Sequence, residues 1–80
     1  MTHIDVLRDR AVMAERKAIA ANVAADCILD SPVEPDDTWG ADLRMKKYRA
    51  QLLLADAYRE YAFMNRTALE NALLADMESA

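Results

Sequence analysis

The sequence contains few of the residues that break helices, cross-link chains or bind metal ions. Its single glycine and both prolines lie between residues 32 and 40, and long stretches on either side contain neither residue type. One cysteine, Cys27, excludes a disulfide within the chain, and one histidine, His3, leaves no cluster of imidazoles and thiolates for a metal site. No apolar run approaches the roughly 20 residues that a membrane-spanning helix needs.

Motifs that indicate catalysis are also absent. The sequence has no glycine-rich phosphate loop, no pair of cysteines and no histidine beside a nucleophile. Asp36 and Asp37 are adjacent carboxylates without a second pair that would share a metal ion. We therefore expect a protein that is not an enzyme and that uses no cofactor.

The chain length indicates that this protein needs a partner. Its 80 residues form a single domain, 1–80, which would bury only about 60% of the surface that the unfolded chain exposes. Disulfides, a metal ion or a partner chain usually support such small domains, and the composition leaves the partner chain. We expect a second copy or another protein in this role.

Two glycine-free and proline-free stretches, rich in Ala, Leu, Met, Arg and Glu, predict two helices. The first runs over about 2–29 with Thr2 as N-cap and Asp5 in its first turn, and a loop at 30–40 follows. The second runs over about 41–77, although Pro35 followed by two aspartates would also suit an earlier start. The predicted fold is all-α: an antiparallel two-helix hairpin with a long second helix, which dimerises into a helical bundle.

The first predicted helix carries a coiled-coil seam. Apolar residues recur at alternating spacings of three and four, and the middle five are alanines that allow close helix approach. These positions are Ile4, Leu7, Ala11, Ala14, Ala18, Ala21, Ala25 and Ile28.

The second predicted helix has a wide apolar arc that can be divided into two faces. One consists of Met45, Tyr48, Leu52, Ala55, Ala62, Leu69 and Leu73. The other consists of Leu43, Ala50, Leu54, Ala57, Tyr61, Met64, Ala68 and Ala75. Thr67 and Glu70 have the spacing of a capping box, but the absence of Gly and Pro there favours a continuous helix.

Surplus apolar residues predict a homodimer. The second helix is longer than the first, and its end should extend beyond the region that the first helix covers. The first helix has a second apolar stripe away from its seam. The predicted dimer interface comprises Val12, Ile19, Val23, Tyr61, Met64, Leu69, Leu73 and Met77.

Acidic residues are concentrated around the loop. Between Lys17 and Arg44 the sequence has six acids and no base, a segment charge of −6. Pairing with nearby cations or plain solubility would explain the acids, and a hydrophobic plug would explain Trp39. The alternative is a docking surface for a basic protein, with Trp39 as its anchor. This predicted partner-binding surface comprises Asp30, Glu34, Asp36, Asp37, Trp39 and Asp42.

The basic cluster "RMKKYR" at 44–49 is the one feature that suggests nucleic-acid binding. Its four cations spread over several helix faces, and Tyr48 falls on an apolar stripe. With a net charge of −4, we expect no direct contact with nucleic acid and none with an anionic membrane.

The overall pattern resembles a group of small early proteins from Mu-like Pseudomonas phages, the anti-quorum-sensing anti-activators. The resemblance is carried by "IDVLRDRAVMAERKAIAANVAAD" and "LLLADAYREYAF" on either side of the acidic, proline-containing loop. It implies a dimer of helical hairpins in the cytoplasm of the infected bacterium. It also implies binding to a LuxR-type quorum-sensing activator at its helix-turn-helix DNA-binding domain, which blocks DNA, and inhibition of the pilus assembly ATPase. No short motif allows binding residues to be transferred one by one.

Two other functions fit the same residues. One is a structural helical subunit of a larger assembly, and the other is an inhibitor of a different host nucleic-acid-binding complex, such as a CRISPR effector. Each needs only an acidic surface and a stable helical scaffold, so the sequence does not separate them.

Overall fold

Two helices account for nearly all of the chain in the computed structural model, which describes residues 2–79. Helix α1 comprises His3–Asp30 and helix α2 comprises Thr38–Ser79. Residues 2–79 contain no strand. The prediction of an all-helical chain with two helices is confirmed.

Helix α1 begins at the predicted N-cap. The Thr2 hydroxyl accepts a hydrogen bond from the Asp5 backbone N–H at 3.2 Å, and the Asp5 carboxylate accepts one from the Thr2 backbone N–H at 3.4 Å. This reciprocal capping box satisfies two backbone donors that the first helical turn leaves free.

Helix α2 begins earlier than the position predicted for it, so that Trp39 and Gly40 belong to the helix and not to the loop. The cause is the Asp37 side chain, whose Oδ1 accepts a hydrogen bond from the Gly40 backbone N–H at 2.8 Å. The Asp37 carbonyl accepts another from Ala41 N at 3.1 Å. From this cap the helix continues through Thr67 without interruption, as predicted.

The two helices form an elongated helical hairpin. It measures 68 × 16 × 14 Å, with a radius of gyration of 18.6 Å, whereas a compact 80-residue domain has about 12 Å. The contacts that link the helices include those of Arg44 with Ser31, Lys17 with Tyr58, and Arg66 with Glu15. Along α2 these contacts reach progressively earlier parts of α1.

The core is the seam between the helices. Six of the eight predicted seam residues of α1 are buried in this core, and Ile4 and Ile28 are half-buried. The predicted seam of the first helix is therefore confirmed. The α2 side of the core is a row of residues at alternating spacings of three and four, which we call the inner seam. The inner seam comprises Ala41, Arg44, Tyr48, Gln51, Ala55, Tyr58, Ala62, Asn65, Leu69 and Ala72, all buried or half-buried.

Every second residue of the inner seam up to Asn65 is polar or carries a polar group: Arg44, Gln51, Tyr58 and Asn65 recur every seven residues. Asn65 is only 7% exposed, and its side-chain amide donates to the Tyr61 carbonyl at 2.8 Å. Small alanines opposite leave room for these larger groups.

Helix α1 reaches further along α2 than the sequence suggested. The end of the second helix was expected to extend beyond the first, but Leu69, near that end, is half-buried, as is Ala72. That expectation is wrong for Leu69. The connecting segment 31–37 allows part of the extra length of α2 to lie at the loop end of the hairpin, so less of it extends beyond α1 at the other end. Leu73, Leu74 and Met77 are exposed.

Candidate binding surfaces

The loop end of the hairpin is held together by Arg44. Its guanidinium donates a hydrogen bond from Nη1 to the carbonyl of Ser31, the C-cap of α1, at 3.0 Å. The last turn of α1 has no basic residue of its own. Arg44 therefore supplies the positive charge that the carbonyl end of a helix favours, and it does so from the other helix.

Two of the six predicted docking residues have local structural roles. Asp37 caps α2 through the 2.8 Å hydrogen bond from Gly40 N, and a side-chain carbon at Gly40 would collide with this carboxylate. Asp42 forms an ion pair of 2.9 Å with Lys46 one turn later. These two carboxylates stabilise α2 irrespective of any partner.

Three other acids at this end are free to meet a partner. Asp30, Glu34 and Asp36 are exposed, and among residues 2–79 none of them forms a side-chain hydrogen bond or an ion pair. Asp30 immediately precedes the connecting segment and the other two lie within it, so that three unneutralised charges lie at one end of the molecule. Mutual repulsion raises the free energy of such a cluster, and a cationic partner would relieve it.

Trp39 lies on the outside of the first turn of α2. It is 88% exposed, the most exposed of the large hydrophobic residues. The hydrophobic-plug interpretation is therefore wrong, because an indole that sealed the hairpin would be buried. Early initiation of α2 causes this placement, since it puts Trp39 on the helix face opposite the inner seam.

Two of the four cations and the tyrosine of the basic cluster have contacts within the hairpin. Arg44 is bonded to Ser31, Lys46 is paired with Asp42, and Tyr48 is half-buried in the inner seam. A base-stacking platform needs an aromatic face open to solvent, and Tyr48 does not offer one.

One flank of the hairpin carries an ion pair between the helices. The Arg66 guanidinium donates from Nε to Glu15 and also contacts the same carboxylate through Nη2. This hydrogen bond and the positive charge of Arg66 lower the pKa of Glu15 and, in return, raise the pKa of Arg66. Ile19 lies on this flank, next to Glu15, Asn22 and Arg59.

The predicted dimer-interface residues do not share one surface. With 100° of rotation per residue, Val12, Ile19, Leu73 and Met77 fall on the Glu15–Arg66 flank. Tyr61 and Met64 fall on the opposite flank, Val23 on the back of α1 and Leu69 on the inner seam. Ile19, Val23, Tyr61, Met64, Leu73 and Met77 are all exposed.

Large exposed side chains outside the predicted surfaces enlarge the apolar area. Leu43, Leu53 and Phe63 are 52%, 71% and 70% exposed. The accessible surface of the chain is 6138 Å², whereas a compact monomer of its 9.0 kDa mass exposes about 4,850 Å². The excess of about 1,300 Å² is surface that a compact fold would bury.

Metal sites and membrane-spanning segments are absent from residues 2–79. In residues 2–79, no three His, Cys, Asp or Glu side chains group so as to hold a metal ion. Within the same residues, neither helix has a stretch of the length and apolarity required to cross a membrane. Comparisons with models of known protein families, with curated proteins and with solved structures found no match.

Proposed function

We propose that this protein is a non-enzymatic inhibitor that binds a host protein in the cytoplasm of a phage-infected bacterium. Its favoured target is the helix-turn-helix DNA-binding domain of a LuxR-type activator, which it would keep from DNA. In this proposal the chain is an antiparallel helical hairpin and acts as a homodimer.

The observation that carries the proposal is the composition of the loop end. An indole that is 88% exposed lies in a segment of charge −6, which also contains three exposed carboxylates without partners among residues 2–79. Exposed tryptophan is expensive to leave in water and is enriched in interface hot spots. An acidic rim around it complements the cationic surface with which a DNA-binding domain contacts phosphate.

Electrostatics would give this surface its selectivity. Carboxylates at the loop end take the positions of DNA phosphates and steer a basic domain over a Debye length of about 8 Å. DNA itself is repelled by the same charges, so that the protein competes with DNA for the activator and does not bind DNA.

The test is the affinity of the purified protein for the isolated DNA-binding domain of a LuxR-type activator, measured by calorimetry at low and moderate salt. A triple variant, Asp30→Asn with Glu34→Gln and Asp36→Asn, removes three charges without removing the cap at Asp37. We expect the dissociation constant to rise by about tenfold or more and its salt dependence to flatten.

A matched control separates local from overall charge. Asp9→Asn with Glu70→Gln and Glu78→Gln changes the net charge by the same amount, at exposed sites outside the loop. The control should bind as the unaltered protein does. Equal weakening by both variants, or no binding of the domain by the unaltered protein, would contradict the proposal.

A further inference from the structure

Helix α2 carries a second coiled-coil seam that stays exposed in the hairpin. Its residues alternate in spacing of four and three over the whole helix, and every one of them is exposed. We call it the outer seam: Leu43, Lys47, Ala50, Leu54, Ala57, Tyr61, Met64, Ala68, Asn71 and Ala75. A helix needs one such stripe to pack on one neighbour, and α1 already occupies the inner seam.

We propose that the outer seam packs against the outer seam of a second copy of this chain, antiparallel and about a two-fold axis. This inference rests on the proposed function only for the existence of a homodimer. It assigns the interface to one face of α2, whereas the interface predicted from the sequence spread over several faces.

The order of residues along the seam supports this pairing. An antiparallel register centred between Ala57 and Tyr61 pairs Leu43 with Ala75, Lys47 with Asn71, Ala50 with Ala68, Leu54 with Met64 and Ala57 with Tyr61. In this register the two polar positions of the seam meet each other, so that no apolar side chain faces a polar one. Leu43 and Tyr61 each meet an alanine, while Leu54 meets Met64, so that large and small residues alternate along the interface and can pack closely.

Charge favours the antiparallel arrangement over the parallel one. Parallel packing would place Lys47 against Lys47 of the partner subunit. It would also set two segments of charge −6 side by side. Antiparallel packing puts the acidic loop ends at opposite ends of the dimer and leaves both Trp39 side chains free for the proposed target.

The surface area agrees with a second copy as the occupant. A typical stable interface buries about 800 Å² on each partner, which lies within the excess of about 1,300 Å² that this chain exposes over a compact monomer. The face includes Leu43, Leu54, Tyr61 and Met64, each at least 42% exposed in the single chain.

The first arm of the test is the mass in solution, by light scattering at about 10–100 µM, a range chosen to span micromolar dissociation constants. The unaltered protein should have twice the 9.0 kDa mass of the chain. Ala57→Glu puts a charge at the centre of the seam and should raise the dimer dissociation constant by about tenfold or more. Ile19→Glu, on the other flank, should leave the dimer unchanged. A monomeric unaltered protein, or dissociation by Ile19→Glu alone, would overturn the inference.

The second arm does not depend on how Ala57→Glu folds. In a Cys27→Ala background, Ala50→Cys and Ala68→Cys chains are mixed and oxidised. The two different chains should cross-link to each other, because a disulfide forms only where the Cβ atoms lie about 4 Å apart. Neither variant should cross-link to itself. Self-linking of Ala50→Cys would indicate parallel packing, and no cross-link at all would place the interface elsewhere. Both arms use the protein without a host partner, so their failure is distinct from failure of target binding.

Discussion

The Glu15 carboxylate and the Arg66 guanidinium join residues 51 positions apart in the sequence, one from each helix. They lie beside the alanine seam, where close helix approach brings the bases of both side chains near each other. The pair lies on the flank opposite the outer seam.

This ion pair predicts a pH-dependent contribution to stability. The pKa of Glu15 is lowered by its hydrogen bond with Arg66, below the ordinary value of 4.5 that applies in the unfolded chain. The contribution of the ion pair to stability is therefore fully present above pH 4.5, and it is lost as the pH falls through the lowered pKa of Glu15 in the folded state. Urea unfolding should show Glu15→Gln less stable than the unaltered protein at pH 7 and close to it at pH 2. A constant difference would contradict this origin. The effect should be small, because the pair is exposed.

The alanines of the α1 seam predict a strong sensitivity to size. Ala18 is 3% exposed and faces α2, so that Ala18→Leu should destabilise the hairpin by about 1–3 kcal/mol through overpacking. Ala20→Leu is the control, because Ala20 follows Ala18 by two residues in the same helix and is exposed. Thermal unfolding by circular dichroism should separate the two variants, and equal melting temperatures would argue against close packing at Ala18.

Replacing the neighbouring residues Asp37 and Asp36 should have different effects on stability and on target binding. Asp37 caps α2, so Asp37→Ala should cost about 1 kcal/mol of stability. Asp36→Ala should leave stability nearly unchanged and weaken target binding, because Asp36 is exposed and makes no side-chain bond among the described residues. Chemical denaturation and calorimetry on both variants measure the two effects. Similar loss of stability in both would contradict the assignment.

Trp39 predicts a loss of binding without a loss of fold. Trp39→Ala removes a side chain that is 88% exposed, so the unfolding free energy should change by less than about 0.5 kcal/mol. Affinity for the target domain should fall by about tenfold or more if the indole is an anchor. Phe63→Ala, which removes another exposed aromatic residue far from the loop, is the control. Equal affinity of the two variants would exclude Trp39 as the anchor.

Sequence periodicity predicts the α1 half of the core well and the α2 half less well. The α1 seam is apolar throughout, whereas the inner seam of α2 includes Arg44, Gln51 and Asn65, which a search for apolar residues passes over. Arg44 can lie there because its guanidinium reaches the Ser31 carbonyl. Asn65 can lie there because its amide bonds to Tyr61. The seven-residue spacing of these polar groups was the available signal.

Surface placement depends on contacts that periodicity does not contain. The exposure of Trp39 follows from the cap at Asp37, which starts α2 before the tryptophan. The predicted interface residues are distributed over two flanks, the back of α1 and the inner seam, because α1 pairs with the inner seam rather than with a neighbouring stripe. The outer seam contains all eight residues of the second apolar face predicted for α2 and adds Lys47 and Asn71, which a search for apolar residues passes over.

Release of DNA by this protein can be measured by titrating it into a fluorescent complex of promoter DNA with a LuxR-type activator. We predict that the protein releases the DNA from the activator and does not bind the DNA alone. The triple variant at Asp30, Glu34 and Asp36 should release the DNA only at a protein concentration about tenfold higher or more. A complex that stays intact at saturating protein would contradict the favoured target.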